Sequence, residues 1–145
     1  MGRFDGRSAI VTGGALGIGG GCARRIAADG GSVLIVDVNE EAGASTLKEI
    51  RAAGGTAEFM TGNVAEESVA AEMVEKAVSS FGRLDLLVQN AYGGGPGSSG
   101  SAVEIEPEAW HTGMDLLVGA HYLGAKFGVP AMVESGTDPN FDPSS

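Results

Sequence analysis

Six glycines within nine residues, Gly13, Gly14, Gly17, Gly19, Gly20 and Gly21, constrain this chain more than anything else in it. They follow a short apolar run, Ala9, Ile10 and Val11, which reads as a buried strand over Ser8 to Thr12. They precede Cys22, Ala23, Ile26 and Ala27, which with Ile18 are expected on one face of a helix running to about Ala28. Strand, glycine turn and helix in that order make a phosphate-binding layout. Backbone N–H groups at a helix N-terminus point at the ligand, and the dipole there favours negative charge. Glycine keeps Cβ atoms out of the ligand's way and permits positive φ in the turn. Gly20 and Gly21, costly inside a helix, suggest close packing or close ligand approach nearby.

The spacing discriminates between two patterns. G-x-G-x-x-G, started at Gly17, passes Gly19 but then requires a small residue at Cys22, and fits badly. Thr-Gly-x-x-x-Gly-x-Gly is met without a gap by Thr12, Gly13, Gly17 and Gly19. That pattern, and the run VTGGALGIG as a whole, resembles the cofactor signature of the short-chain dehydrogenase/reductase family. A glycine-rich loop without a ligand is the bland alternative.

The rest of the chain alternates in step with that start. SVLIVD, Ser32 to Asp37, is a continuous apolar run closed by a carboxylate, as in a parallel strand covered on both faces. Asp37 lies 18 residues past Gly19, and an acid about 20 residues on accepts hydrogen bonds from adenosine ribose hydroxyls. It would repel a 2′-phosphate. No lysine or arginine stands in Val38-Asn39-Glu40-Glu41 or Gly14-Ala15-Leu16, so NAD is expected over NADP; an ordinary acid opening a loop is the alternative. Asn39 is a natural N-cap for a second helix over 40–53, with Leu47 and Ile50 as its core stripe. A third strand over 56–61 follows, then a helix over about 66–81 with Val69, Met73, Ala77 and Phe81 every four residues and Val74 and Val78 beside them. LDLLVQ, Leu84 to Gln89, is the fourth strand. Strands alternating with helices predict an α/β fold, a three-layer, doubly wound parallel sheet of Rossmann type, here expected to be truncated after the fourth strand and fourth helix. Thr12, Asp37, Asn63 and Asn90 each end or follow a strand and should crowd one sheet edge, where such folds bind ligands.

The family resemblance implies cofactor-binding roles for Thr12, Gly13, Gly14, Leu16, Gly17, Ile18 and Gly19 in the turn. It implies the same for Asp37 and Val38 after the second strand, Asn63 and Val64 after the third, and Asn90, Ala91 and Tyr92 after the fourth. Asn63 stands where the family commonly places an aspartate against the adenine amino group; a helix-entry residue is the competing reading. Gln89-Asn90-Ala91-Tyr92-Gly93 resembles the family's Asn-Asn-Ala-Gly motif, with Gln89 and Tyr92 departing from it. Residues 93–101 read as a flexible loop.

A fourth helix is expected from about Glu108 to Phe127, opened by Pro107. Trp110, Met114, Leu117 and His121 form its stripe, widened by Leu116, Leu123 and Phe127. The small residues Gly119, Ala120, Gly124, Ala125 and Gly128 would let another helix approach. The resemblance implies that this helix helps build a homodimer or tetramer, with Trp110, Lys126 and Pro130 where the family has them and Leu117 at the position of its helix asparagine.

Family members transfer hydride with a serine and a Tyr-x-x-x-Lys pair. Tyr122 and Lys126 have that spacing but sit one strand and one helix too early, and Ser101 is 21 residues upstream. The pair is read as a decoy, and no catalytic residue is expected within the chain. The resemblance covers Phe4 to about Met132, half of a family member. Residues 1–133 are expected to form the NAD(P)-binding portion and 134–145 a polar tail. The implied activity is NAD-dependent oxidoreduction of a small alcohol or ketone, with this portion inactive alone. A catalytically silent nucleotide-binding or oligomerising module is the alternative.

Composition sets the outer bounds. With 145 residues, 43% apolar and 19% charged, the chain has the makeup of one globular domain. A formal charge of −10 argues against nucleic acid and anionic membrane as partners. The lone Cys22 rules out a disulfide within the chain and fits a reducing, cytoplasmic setting. No apolar run is expected to span a membrane, and no metal site is expected.

Overall fold

A computed structural model describes residues 2–93 and 100–136; most of the expected 93–101 loop and the tail beyond 136 lie outside the described residues. Four strands, β1 (Ser8–Thr12), β2 (Ser32–Asp37), β3 (Thr56–Thr61) and β4 (Leu86–Gln89), form one sheet in the order β3-β2-β1-β4. Every pairing is parallel, with Thr12 level with Val36 and Gln89. Helices α1 (Gly17–Ala28), α2 (Glu40–Ala52) and α3 (Glu67–Phe81) are the crossovers. The strand order reverses at β1, with β2 and β3 on one side and β4 on the other, and this puts a ligand crevice at the β1 C-terminal end.

Alternate strand residues serve opposite layers. Ala9, Val11, Val33, Ile35 and Ala57 pack with Ala23, Ile26 and Ala27 of α1 and Ile50 of α2. Ile10, Leu34, Val36 and Met60 pack with Ala70, Met73, Val74 and Ala77 of α3. Burial on both faces explains why β1 and β2 read as unbroken apolar runs instead of alternating. Asn39 caps α2 as expected, its side chain accepting from the Ala42 N–H.

Several expectations change. The fourth strand begins at Leu86; just before it, Asp85 keeps its N–H on the Ser8 carbonyl while its carboxylate accepts from Arg7, Arg83 and the Ser8 N–H. Ile18 is not on the core face of α1; it is 80% exposed, and Val78 of α3 is also exposed. The fourth helix is α4 (Pro107–Met114), a π-helical turn (Asp115–Gly119) and α5 (Ala120–Glu134) in succession. Its inward residues are Leu116, Ala120, Leu123 and Phe127, against the α3 layer. Trp110, Met114, Leu117 and His121, the expected stripe, face outward.

The reason is close approach. A Cβ on Gly124 would stand 2.2 Å from Gln89 Oε1, and one on Gly128 would stand 3.0 Å from Leu87 Cδ2. These glycines let α5 lie on its own sheet, so they are not free for a second chain. The continuous helix Pro107–Glu134 also corrects the expectation about membrane spans: by length and composition it is long and apolar enough, with mean hydropathy 1.3. Asp115 and Lys126 interrupt it, and one side packs on α3 and β4, although only 17% of its most apolar stretch is buried.

Candidate functional site: a cleft at the strand ends

Beyond the C-terminal ends of the strands lies a cleft of about 480 Å³, lined by residues 13, 16–18, 36–39, 62–64, 90–92 and 116. Of the sequence-expected site residues, Gly13, Leu16, Gly17, Ile18, Asp37, Val38, Asn63, Val64, Asn90, Ala91 and Tyr92 line it. Thr12, Gly14 and Gly19 do not; they lie beneath its floor, all buried.

Those three build the cleft instead of facing it, and Asn90, which lines it, braces the turn as well. Thr12 Oγ1 accepts the N–H groups of Asn90 at 3.1 Å and Ala91 at 3.2 Å. Asn90 Nδ2 donates back to the carbonyls of Thr12 at 3.3 Å and Gly13 at 3.2 Å. The ends of β1 and β4 are thereby cross-braced. A Cβ on Gly19 would lie 2.1 Å from the Gly13 carbonyl oxygen, so glycine is required there for packing within the turn. Gly17 opens α1 at φ +55° with open space around it, where a side chain would strain the backbone whatever the room.

Asp37 ties the turn to β2. Its Oδ2 accepts the Ala15 N–H at 3.0 Å and its Oδ1 the Asn39 N–H at 3.0 Å. A carboxylate offers about four lone-pair sites, so two remain for a ligand. Asp37 is the one charged side chain lining the cleft among the described residues, and no lysine or arginine does. Asn63 turns its Oδ1 onto the Ala65 N–H at 3.1 Å, so the oxygen assigned to adenine already closes its own loop. Tyr92 is 83% exposed at the rim, and it also borders a smaller hollow of about 210 Å³ beside Trp110 and Leu117.

Tyr122 and Lys126 do not line the cleft. Lys126 Nζ pairs with Glu67 Oε1 on α3, and this bond raises the ammonium pKa. A second cleft of about 510 Å³ lies where α1 and α2 end, lined mainly by small residues and the Arg24–Glu49 pair. It is remote from the strand ends and has no convergent polar groups like those of the first. Sequence reading missed Thr46 of α2, which donates to the Ala15 carbonyl at 2.7 Å. Its signal was a polar residue on the buried face of α2, four residues before Ile50.

A glycine turn feeding a helix N-terminus, opposite an acid at the end of the adjacent parallel strand, places the molecule among Rossmann-type α/β proteins. Residues 7–138 match the family model described as short chain dehydrogenase, and the chain belongs to that family. It is 37% identical over 134 residues to a 2,5-dichloro-2,5-cyclohexadiene-1,4-diol dehydrogenase of Sphingobium indicum, covering 92% of this chain and 52% of that one. A cyclohexanol dehydrogenase of an Acinetobacter species is 36% identical, with 92% and 53% covered. Among solved structures, a metagenomic short-chain oxidoreductase in complex with NADP superposes with TM-score 0.82 at 30% identity, covering 90% of this chain and 58% of that one. Carveol dehydrogenase of Mycobacterium avium in complex with NAD, at 24% identity, shares the fold with TM-score 0.86, with 94% and 53% covered. The chain thus spans about half the length of the relatives it matches.

Proposed function

We propose that this chain is the dinucleotide-binding portion of an NAD-dependent short-chain oxidoreductase acting on a small alcohol or ketone. The observation that carries it is the cleft itself: the α1 N-terminus and the Asp37 carboxylate face one space at the strand ends. In this reading the N–H groups that open α1 hold the pyrophosphate, and no side chain is needed to neutralise it. Asp37 accepts the adenosine ribose hydroxyls with its remaining lone pairs. Asn90 and Ala91 floor the passage toward the nicotinamide, and Tyr92 stands at its rim. The dinucleotide, when bound, supplies the hydride acceptor or donor. The substrate is an alicyclic alcohol or ketone, by analogy with the ring alcohols named for the relatives. Trp110, Val118 and Tyr122, exposed on α4–α5 and the π turn, support self-association of the complete enzyme.

Two observations favour a second reading, a silent nucleotide-binding module. Lys126 is committed to Glu67, and Leu117 offers no polar group where the family has asparagine. Titration of the folded chain with NADH and NADPH tests the main proposal. NADH is expected to bind and NADPH to bind roughly tenfold more weakly or worse, since Asp37 meets a 2′-phosphate with like charge and no cation offsets it. Equal or tighter NADPH binding would overturn the NAD assignment, and no binding of either would overturn the site. Oxidation of cyclohexanol with NAD by this chain alone would overturn the decoy assignment of Tyr122 and Lys126.

A further inference from the structure

We propose that Thr46 on α2 is a positioning residue for the glycine turn, fixing the Ala15 peptide so that α1 presents its first N–H groups to the dinucleotide phosphates. The inference rests on the function proposed above. Thr46 is 3% exposed, and Ala15 is completely buried. Thr46 Oγ1 lies 2.7 Å from the Ala15 carbonyl oxygen and 3.2 Å from Arg24 Nη1, which also reaches Glu49 Oε2 at 3.2 Å. A guanidinium can only donate. The hydroxyl therefore accepts from Arg24, and its own proton goes to Ala15. From the other side Asp37 Oδ2 takes the Ala15 N–H at 3.0 Å, so both polar groups of one turn residue are held by two different elements.

This matters because the start of α1 has no side-chain cap of its own and takes its direction from the turn before it. Its N-cap is Leu16, which has no side-chain capping bond and cannot form one. The first N–H groups of the helix have no intrahelical acceptor, and their direction follows the preceding peptide. Among the described residues no peptide is cis. A planar trans peptide whose carbonyl is fixed toward α2 holds the Leu16 N–H on the opposite side, away from α2. Arg24 sets the hydroxyl, the hydroxyl sets the peptide, and the peptide sets the anion site.

The test is NADH affinity of the 145-residue chain and three variants, each with its melting temperature. Thr46→Val keeps the shape and deletes the donor; NADH should bind about tenfold more weakly. Thr46→Ser restores the hydroxyl and should return the affinity to within about threefold of the parent. Ile50→Val, in the same helix and also buried, should lower the melting temperature and leave NADH affinity unchanged. Unchanged affinity in Thr46→Val, or an equal loss in Ile50→Val, would show a merely structural role and overturn the inference. If Thr46→Val does not fold, Arg24→Met at an exposed position carries the test, with about threefold weakening expected and no change overturning it. A parent chain that binds no NADH overturns the proposed function and this inference with it; a parent that binds beside an unaffected Thr46→Val overturns this inference alone.

Discussion

Asp85 shows how one side chain at the far end of the sheet holds together what the ligand end needs. It is 5% exposed and joins three segments: Arg7 before β1, the Ser8 N–H that starts β1, and Arg83 ahead of β4. Burial alone would raise its pKa. The bonds from Arg83, the Ser8 N–H and Arg7 together outweigh that, and hold the carboxyl below its ordinary 3.8 at about 2. Because folding lowers this pKa, the carboxylate's contribution is complete above about pH 4 and is lost as pH falls toward 2. Its size at neutral pH is about 2 kcal/mol, the depression converted at about 1.4 kcal/mol per pH unit. Asp85→Asn should be less stable than the parent by that order at pH 7. The gap should close between pH 4 and pH 2 in urea unfolding followed by circular dichroism. A gap that stays constant through that range would mean that the residue acts through shape and not charge.

At the scale of elements, β1 through α3 were legible because local signals agreed with tertiary demand. The apolar runs at Ala9–Val11 and Val33–Val36 and the Asn39 cap each had one reading, and the bounds of β1, α1, β2 and β3 match the expected ones. The helix pair after β4 was not legible in the same way. Trp110, Met114, Leu117 and His121 were read as the centre of its core face, yet the inward face combines Leu116, Leu123 and Phe127 with small residues, Ala120, Gly124 and Gly128 among them, because α5 lies close on β4. The same blindness hid Thr46 and the bracing role of Thr12, whose partners are distant in sequence. The packing of α5 predicts two opposite outcomes within one helix run. Gly124→Val forces branched carbons into Gln89 and should cost about 2 kcal/mol by overpacking. Gly113→Ala adds a methyl where nothing lies within 4 Å, and should gain up to about 1 kcal/mol from helix propensity. Thermal unfolding of the two variants beside the parent decides it; a Gly124→Val protein as stable as the parent would mean that the Gln89 side chain swings aside or that α5 pulls back from the sheet.

For the molecule as a whole, two opposing surface terms set its behaviour in solution. Trp110, Leu117, Val118, Tyr122, Val129 and Val133 are exposed along one helix run, next to the edge strand β4 with its half-buried Leu86, Leu87 and Val88. Contiguous apolar surface beside an open strand edge favours association. The formal charge of −10 opposes it through mutual repulsion, which salt screens over about 10 Å at 0.1 M. Association of this chain should therefore grow as salt is added, contrary to an interface held by ion pairs, which salt would loosen. Sedimentation equilibrium at about 0.01 M and about 0.5 M sodium chloride reads this directly, the two lying well on either side of the screening range. Val118→Lys with Val129→Lys places cations on the apolar face without touching the cleft, and should leave the chain monomeric at both. If the double variant still associates while the parent's salt trend holds, the β4 edge and not the helix face is the contact. If the parent is monomeric throughout, repulsion outweighs the apolar surface even when screened.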